Sequence, residues 1–253
     1  EPRRQSWRTT STTGQYLTLD MGAVKVFNAV CFVNHNFSQS AEYNIYGHAS
    51  NIFPSGTASA SFKLENQPIY PACIGAGEYY CGWSGAGGVP SSEQLSLMGR
   101  TILDTFDQSE YRYWHITFTD SQISDSYIEI GRLVFGYAFQ PQINMDWGHD
   151  FEIVDPSVIQ VTKGGGVITD TGIIYHPKKS TFSFLSDSEK YFDFYDLIRN
   201  IGKSGNFVIC YFPHDQEAGR YFETFYGKIE KYTPIRQTAL NTNKFTVTFR
   251  ELV

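Results

Sequence analysis

The strongest constraint on this chain is a period-two alternation of polar and apolar residues, clearest in residues 109–136, SEYRYWHITFTDSQISDSYIEIGRLVFG. In its first run, Tyr111 to Thr119, Tyr113, His115, Thr117 and Thr119 fall on one face and Arg112, Trp114, Ile116 and Phe118 on the other. The second run, Tyr127 to Phe135, is rich in β-branched and aromatic residues and closes at Gly136. Two such runs around a Ser/Asp-rich connection predict a hairpin or a pair of sandwich strands.

The same texture extends over most of the 253 residues. QYLTLDMG (15–22) alternates and breaks at Gly22; VKVFNAVCFVNHN (24–36) and AEYNIYGHAS (41–50) read as strands ending in polar turns. Residues 54–60 read as loop, and 70–92, rich in Gly, Ser and Pro, as a long irregular loop. The composition agrees: 16% of residues are aromatic and only 18% charged, a profile suited to half-buried pleated surfaces rather than to a coiled coil or a disordered tail. YAFQPQIN (137–144), with Pro141, reads as a linker. Beyond it come short strands broken at Pro156, Gly164–Gly166 and Pro177, and then a single helix at about 187–201. Ser186 and Glu189 fit a capping box, Tyr191, Phe194, Tyr195, Ile198 and Ile201 recur at helical spacing, and Gly202 is a natural stop. Residues 206–213, 220–235 and 243–252 complete the strands. The expected architecture is mainly β, a β-sandwich over 1–138 and a second β-rich domain with one helix over 139–253.

Several functions are disfavoured. A net charge of −6 opposes nucleic-acid binding, which runs on phosphate neutralisation by Lys and Arg. No apolar run approaches the ~18 residues that span a bilayer, and no secretory signal pattern is read. The six His show no metal-ligand spacing and the Cys no C-x-x-C pattern, so neither metal nor cofactor is expected. VTKGGGVIT lacks the G-K-[ST] ending of a phosphate loop and reads as a strand bend or hairpin. His214 and Asp215 follow Cys210 closely, but a thiol in the apolar run FVICYF reads as core, as does Cys31 in AVCFV. No enzyme is expected. Cys73 and Cys81 flank the Gly-rich loop and are candidates for a disulfide.

Binding candidates are few. Tyr70, Tyr79, Tyr80 and Trp83 sit among glycines, where aromatic rings with polar edges cap an open sandwich end, meet a neighbouring subunit or stack on sugar. Asn34, His35 and Asn36 end a strand and are candidates for a tip pocket or for turn formation. Tyr221, Phe222, Phe225 and Tyr226 are candidates for an exposed oligomer interface or for ordinary sandwich core.

The ordered strands YLTLDMG, VFNAVCFVNHNF, AEYNIYGHAS, YRYWHITFTD and YIEIGRLVFG resemble the galactose-binding-like, discoidin-type β-sandwich over about residues 5–137. VNHN, RYW and IGRLVFG look closest to the versions of that domain in structural proteins of tailed bacteriophages. Residues 141–253 resemble, more loosely, the ring-forming domains of distal tail and tail-tip proteins. The resemblance implies a virion tail component that forms a homo-oligomer, joins tube and hub proteins, and turns its sandwich toward a host surface glycan. The alternative is a glycan-binding adhesion module recognising a bacterial surface. No basic or acidic loop residue of the lectin-like discoidin domains aligns here.

Overall fold

The computed structural model describes residues 6–70, 101–146, 150–175, 177–211 and 223–252. The chain divides into two compact units, Glu1–Ala138 with Cys210–Thr224, and Phe139–Ile209 with Phe225–Val253. A short segment from the second half of the sequence thus belongs with the first unit.

The first unit holds β1 (Trp7–Arg8), β2 (Gln15–His35), β3 (Glu42–His48), β4 (Phe62–Pro68), β5 (Thr101–Thr119) and β6 (Glu129–Gly136), with a 3₁₀ turn at Phe53–Ser55. The order is β1-β6-β2-β5-β3-β4, antiparallel throughout. β2 and β5 are long enough to serve two layers. The early part of β2 pairs with the late part of β5 (Leu17↔Ile116), beside which lies β3 (Ile45↔Ile116). The late part of β2 pairs with the start of β5 (Phe32↔Ile102) and with β6 (Phe32↔Leu133). The register slips between Asp20 and Lys25 and between Phe27 and Ala29, and such irregularities let a strand turn a corner between sheets. Gly22 takes φ +73° there, a left-handed value that glycine tolerates, while its N–H donates to Asp20 Oδ1 at 2.8 Å. The break read at Gly22 is therefore a corner inside one strand.

The layers face each other across an aromatic core. Phe32 lies far along the ladder from Tyr43 and Phe118, yet its ring meets theirs edge-on at 5.3 and 5.8 Å, and Trp114, Ile116, Phe118 and Ile128 are fully buried with it. The runs at 111–119 and 127–135 do not form a hairpin. β6 pairs with β2 and β1 instead, because the connection after Thr119 is anchored elsewhere: the buried Asp120 accepts the N–H of Ser38 at 2.7 Å and of Gln122 at 3.2 Å, and its own N–H donates to Thr12 O at 2.9 Å.

The second unit is built on β7 (Asp150–Phe151), β8 (Val158–Val161), β9 (Val167–Asp170), β10 (Pro177–Leu185), β11 (Phe207–Cys210), β12 (Thr224–Tyr232), β13 (Arg236–Ala239) and β14 (Thr242–Glu251). One sheet runs β11-β12-β14-β10-β7, with β13 also paired to β14, and β8 and β9 form a separate two-stranded ribbon. Along β14, Phe245, Val247 and Phe249 are buried and alternate with polar residues. The helical segment crosses this face through Phe194, whose ring lies 5.0 Å from Phe182, 5.4 Å from Phe139 and 5.5 Å from Phe245.

That segment starts at a reciprocal capping box: Ser186 N–H donates to Glu189 Oε2 at 2.8 Å and Glu189 N–H to Ser186 Oγ at 3.3 Å. It is π-helical over Glu189–Tyr195 and α-helical (α1) over Asp196–Ile201, ending at Gly202 with φ +55°. The π turn changes the buried face. Glu189 and Phe194, five residues apart, point inward, while Tyr191 and Tyr195, which share the helical spacing read from the sequence, are exposed.

Candidate functional site

The strand end Asn34–Asn36 is structural. Asn34 takes φ +53°, and a Cβ added at Gly131 would lie 2.8 Å from its Cβ. Asn36 clamps β2 to the start of β6: its amide donates to Tyr127 O and Asp125 Oδ2, both at 3.0 Å, and its Oδ1 accepts Glu129 N–H at 2.6 Å. His35 is buried against Phe37 and Tyr70, with ring centroids 5.0 and 6.0 Å away. The structure does bring Tyr70 and His35 together, but Tyr70 is only 6% exposed and belongs to the core cluster. They form a capped sandwich end rather than an open pocket. Tyr79, Tyr80, Trp83, Cys73, Cys81, Tyr221 and Phe222 lie outside the described residues.

The outward side of the first unit carries a polar and aromatic row. His115 receives or donates one hydrogen bond with Thr18 Oγ1 at its Nδ1 (2.7 Å), stacks on Phe53 at 4.9 Å and 13°, and lies 5.1 Å from Tyr16. Burial holds the His115 pKa below the usual histidine value. Tyr16 is 62% exposed. Beside this row Asn44 Nδ2 donates to Thr117 Oγ1 at 2.7 Å, and Tyr46 Oη to Glu65 Oε1 at 3.1 Å. At its far end Arg112 binds both oxygens of Asp20 (2.8 and 2.9 Å), and these hydrogen bonds lower the Asp20 pKa to about 2.

In the second unit the expected interface residues are displaced. Phe225 and Tyr226 are buried within the fold: the Phe225 ring lies 5.1 Å from the buried Lys178 Nζ, and Tyr226 Oη accepts from Asn206 Nδ2 at 2.6 Å. They sit on β12, a strand inside the sheet, so they are core and not a docking surface. The exposed apolar surface is elsewhere. β7 pairs with β10 (Phe151↔Lys178), Val154 bridges Tyr175, and β8 pairs with β9 from Val158↔Asp170 to Val161↔Val167. These pairings prolong one antiparallel ribbon out of the sheet, closed by a turn in which Thr162 N–H donates to Gly166 O at 2.8 Å. Ile159 is 67% and Val161 71% exposed, and Ile153, Val158, Val167, Ile168, Ile173 and Ile174 are half or more exposed. None of them joins either core cluster. Nothing in the sequence distinguished these β-branched runs from buried strands.

No protein-family profile matches the chain. No curated protein matches it. Among solved structures it is similar to a CBM32 of AlyQ in complex with 4,5-unsaturated mannuronic acid, at 19% identity and a TM-score of 0.31, over 54% of this chain and 81% of that one. A TM-score of that size carries no argument about this chain's role. Among the described residues no group of His, Cys, Asp and Glu is arranged to hold a metal, and no helix is long and apolar enough to cross a membrane. Chemically, the exposed surfaces offer apolar association on the second unit and ring stacking beside hydrogen-bonding groups on the first.

Proposed function

We propose that the chain is a structural component of a phage virion tail, at the tail tip, distal ring or baseplate, which assembles into a homo-oligomer through its second unit. The observation that carries this reading is the β8–β9 ribbon. An isolated two-stranded ribbon is marginal in water, and one faced with Val and Ile on both sides gains stability only when those side chains are covered. The strand order in which the sequence resembles tailed-phage proteins supports placing that assembly in a tail. The test is light scattering with negative-stain imaging on the purified chain. Closed particles of fixed copy number that revert to monomers once the ribbon is trimmed back to Val154 and Tyr175 support the reading; particles that persist without the ribbon refute it.

A second reading, a glycan-binding adhesion module, is favoured by one observation: the exposed Tyr16 ring beside Thr18 and His115, since sugars stack on such rings and bond to flanking polar groups. Tyr16→Ala, and in the Gly-rich loop Tyr80→Ala and Trp83→Ala, are expected to reduce binding to bacterial cells with the oligomer intact. Binding unchanged in all three variants sinks it.

A further inference from the structure

The ribbon divides its side chains between two faces, but its backbone is open along both edges, and the edges differ. At the turn Thr162 N–H donates to Gly166 O at 2.8 Å and Gly165 N–H to Thr162 O at 2.9 Å. Antiparallel pairs alternate between residues that exchange hydrogen bonds and residues that do not. With Thr162 and Gly166 bonded, the next bonded pairs are Gln160↔Ile168 and Val158↔Asp170, and Val161↔Val167 and Ile159↔Thr169 lie between them. The N–H and C=O groups of Ile159 and Val161 therefore point out of β8, and those of Val167 and Thr169 out of β9. Among the described residues no further strand pairs with either edge, and every residue of both strands is exposed.

Unpaired backbone groups along a β-branched strand are a template for another strand, and β8 is suited to meeting itself. Laid antiparallel about Gln160, two copies of Val158–Thr162 set Ile159 opposite Val161 and Val158 opposite Thr162. Every pair beside the axis is then β-branched, a favourable cross-strand match. Ile159 and Val161 are also the residues whose backbone groups face outward, so each exchanges hydrogen bonds with its opposite. The adjacent registers fit less well. Centring on Ile159 calls on Ser157 N–H, which already donates to Asp155 Oδ1 at 2.9 Å, and centring on Val161 sets Ile159 against Lys163. The same operation on β9, about Ile168, sets Gly166 opposite Asp170, residue types that strands disfavour. Resting on the assembly reading above, we infer that two copies join through β8, antiparallel about a two-fold axis at Gln160, their ribbons merging into one sheet in the order β9-β8-β8-β9. A lone two-stranded ribbon is marginal in water, and added strands with an apolar face stabilise it. The register puts Ile159, Val161, Val167 and Thr169 on one face, so merging makes that face continuous across both copies. The contact is isologous, and closed particles built with it hold an even number of copies.

Proline scanning of the two edges in the full chain tests this by light scattering. The Val161 N–H points outward, so Val161→Pro leaves the β8–β9 pairing intact and removes only bonds between copies. It is expected to weaken assembly by about tenfold or more in dissociation constant, since both copies lose a hydrogen bond. Val167→Pro makes the same change on the β9 edge and is expected to assemble like wild type. Assembly untouched by Val161→Pro, or weakened equally by both variants, overturns the edge inference. A cross-linking measurement needs no proline. Gln160→Cys places two thiols at the axis, where facing residues of a non-bonded pair stand about 4.5 Å apart between Cα atoms, within disulfide reach. Mild oxidation is expected to give a covalent dimer on a non-reducing gel, beyond anything the wild type gives. Ile168→Cys, on outer strands roughly 14 Å apart, is expected to give none. No dimer from Gln160→Cys, equal cross-linking in both variants, or particles of odd copy number also overturn the inference. Ribbon-driven assembly survives each of those results as long as trimming the ribbon to Val154 and Tyr175 dissociates the particles. A wild type that stays monomeric at high concentration, or particles that persist without the ribbon, instead remove the assembly reading itself.

Discussion

At the scale of single residues, the most consequential side chains mix polarity with burial. His115 is packed between Phe53 and Tyr16 and bonded to Thr18, and burial lowers its pKa. The unfolded chain therefore takes up a proton at this site at a higher pH than the folded one. Stability contributed here is fully present above about pH 6.5 and is lost as pH falls from there toward the folded pKa. Thermal unfolding of the first unit is expected to shift downward between pH 7.5 and 5.5, and His115→Gln to flatten that dependence; an equal shift in the variant would show that another group is responsible. Glu189 behaves in the same sense, at lower pH. Burial alone would raise its pKa, but hydrogen bonds from Ser186 and from Gln142 N–H (2.7 Å) outweigh that and lower it, so its contribution is present above the ordinary Glu pKa and fades as pH falls through the folded value. Glu189→Ala is expected to cost about 1 kcal/mol, the usual worth of a helix cap, measured by denaturant unfolding at pH 7; no loss would show that the box does not support the helix.

At the scale of elements, legibility depended on whether the pattern carried information about what lies opposite. The alternation at 111–119 placed Trp114, Ile116 and Phe118 on one face, and those three are fully buried. Ser186, Glu189 and Gly202 likewise marked the ends of the helical segment. Three features were hidden. Period alone does not reveal that β5 and β6 are separated by β2, since partner choice is set by how the intervening loop is anchored. It does not reveal a π turn, which moved Tyr191 and Tyr195 to the surface. Nor does it separate a β-branched ribbon that awaits a partner from a core strand, because both read as short apolar runs. The ribbon also depends on Gly172, where a Cβ would come within 2.5 Å of Pro156 Cγ and 2.9 Å of its carbonyl carbon. Gly172→Val is expected to distort the ribbon and weaken assembly, while the main unfolding midpoint moves by no more than a surface substitution does, about 0.5 kcal/mol. Full assembly in that variant would mean the ribbon tolerates the distortion or takes no part.

At the scale of the whole molecule, the chain does not divide cleanly at its linker, because Cys210–Thr224 belongs with the first unit. Ala29 to Val33 of β2 are buried on both faces of the strand, Val30 and Phe32 within the sandwich core and Cys31 on the other side. Burial raises the Cys31 thiol pKa, and the nearby Cys210 adds to the rise, so in the full chain this thiol is a poor nucleophile. A fragment ending at Ala138 keeps every strand of the first sheet but loses Cys210–Thr224. That fragment is expected to be monomeric, since it lacks the ribbon, and less stable than the first unit in the full chain. Its Cys31 is expected to react with Ellman's reagent under native conditions far faster than in the intact protein. A fragment as stable as the parent, with Cys31 equally protected, would mean that 1–138 is self-sufficient. Restoring Cys210–Thr224 through a flexible linker, without the rest of the second unit, is expected to recover protection and stability but not assembly, which separates the stretch grouped with the first unit from the part that joins copies.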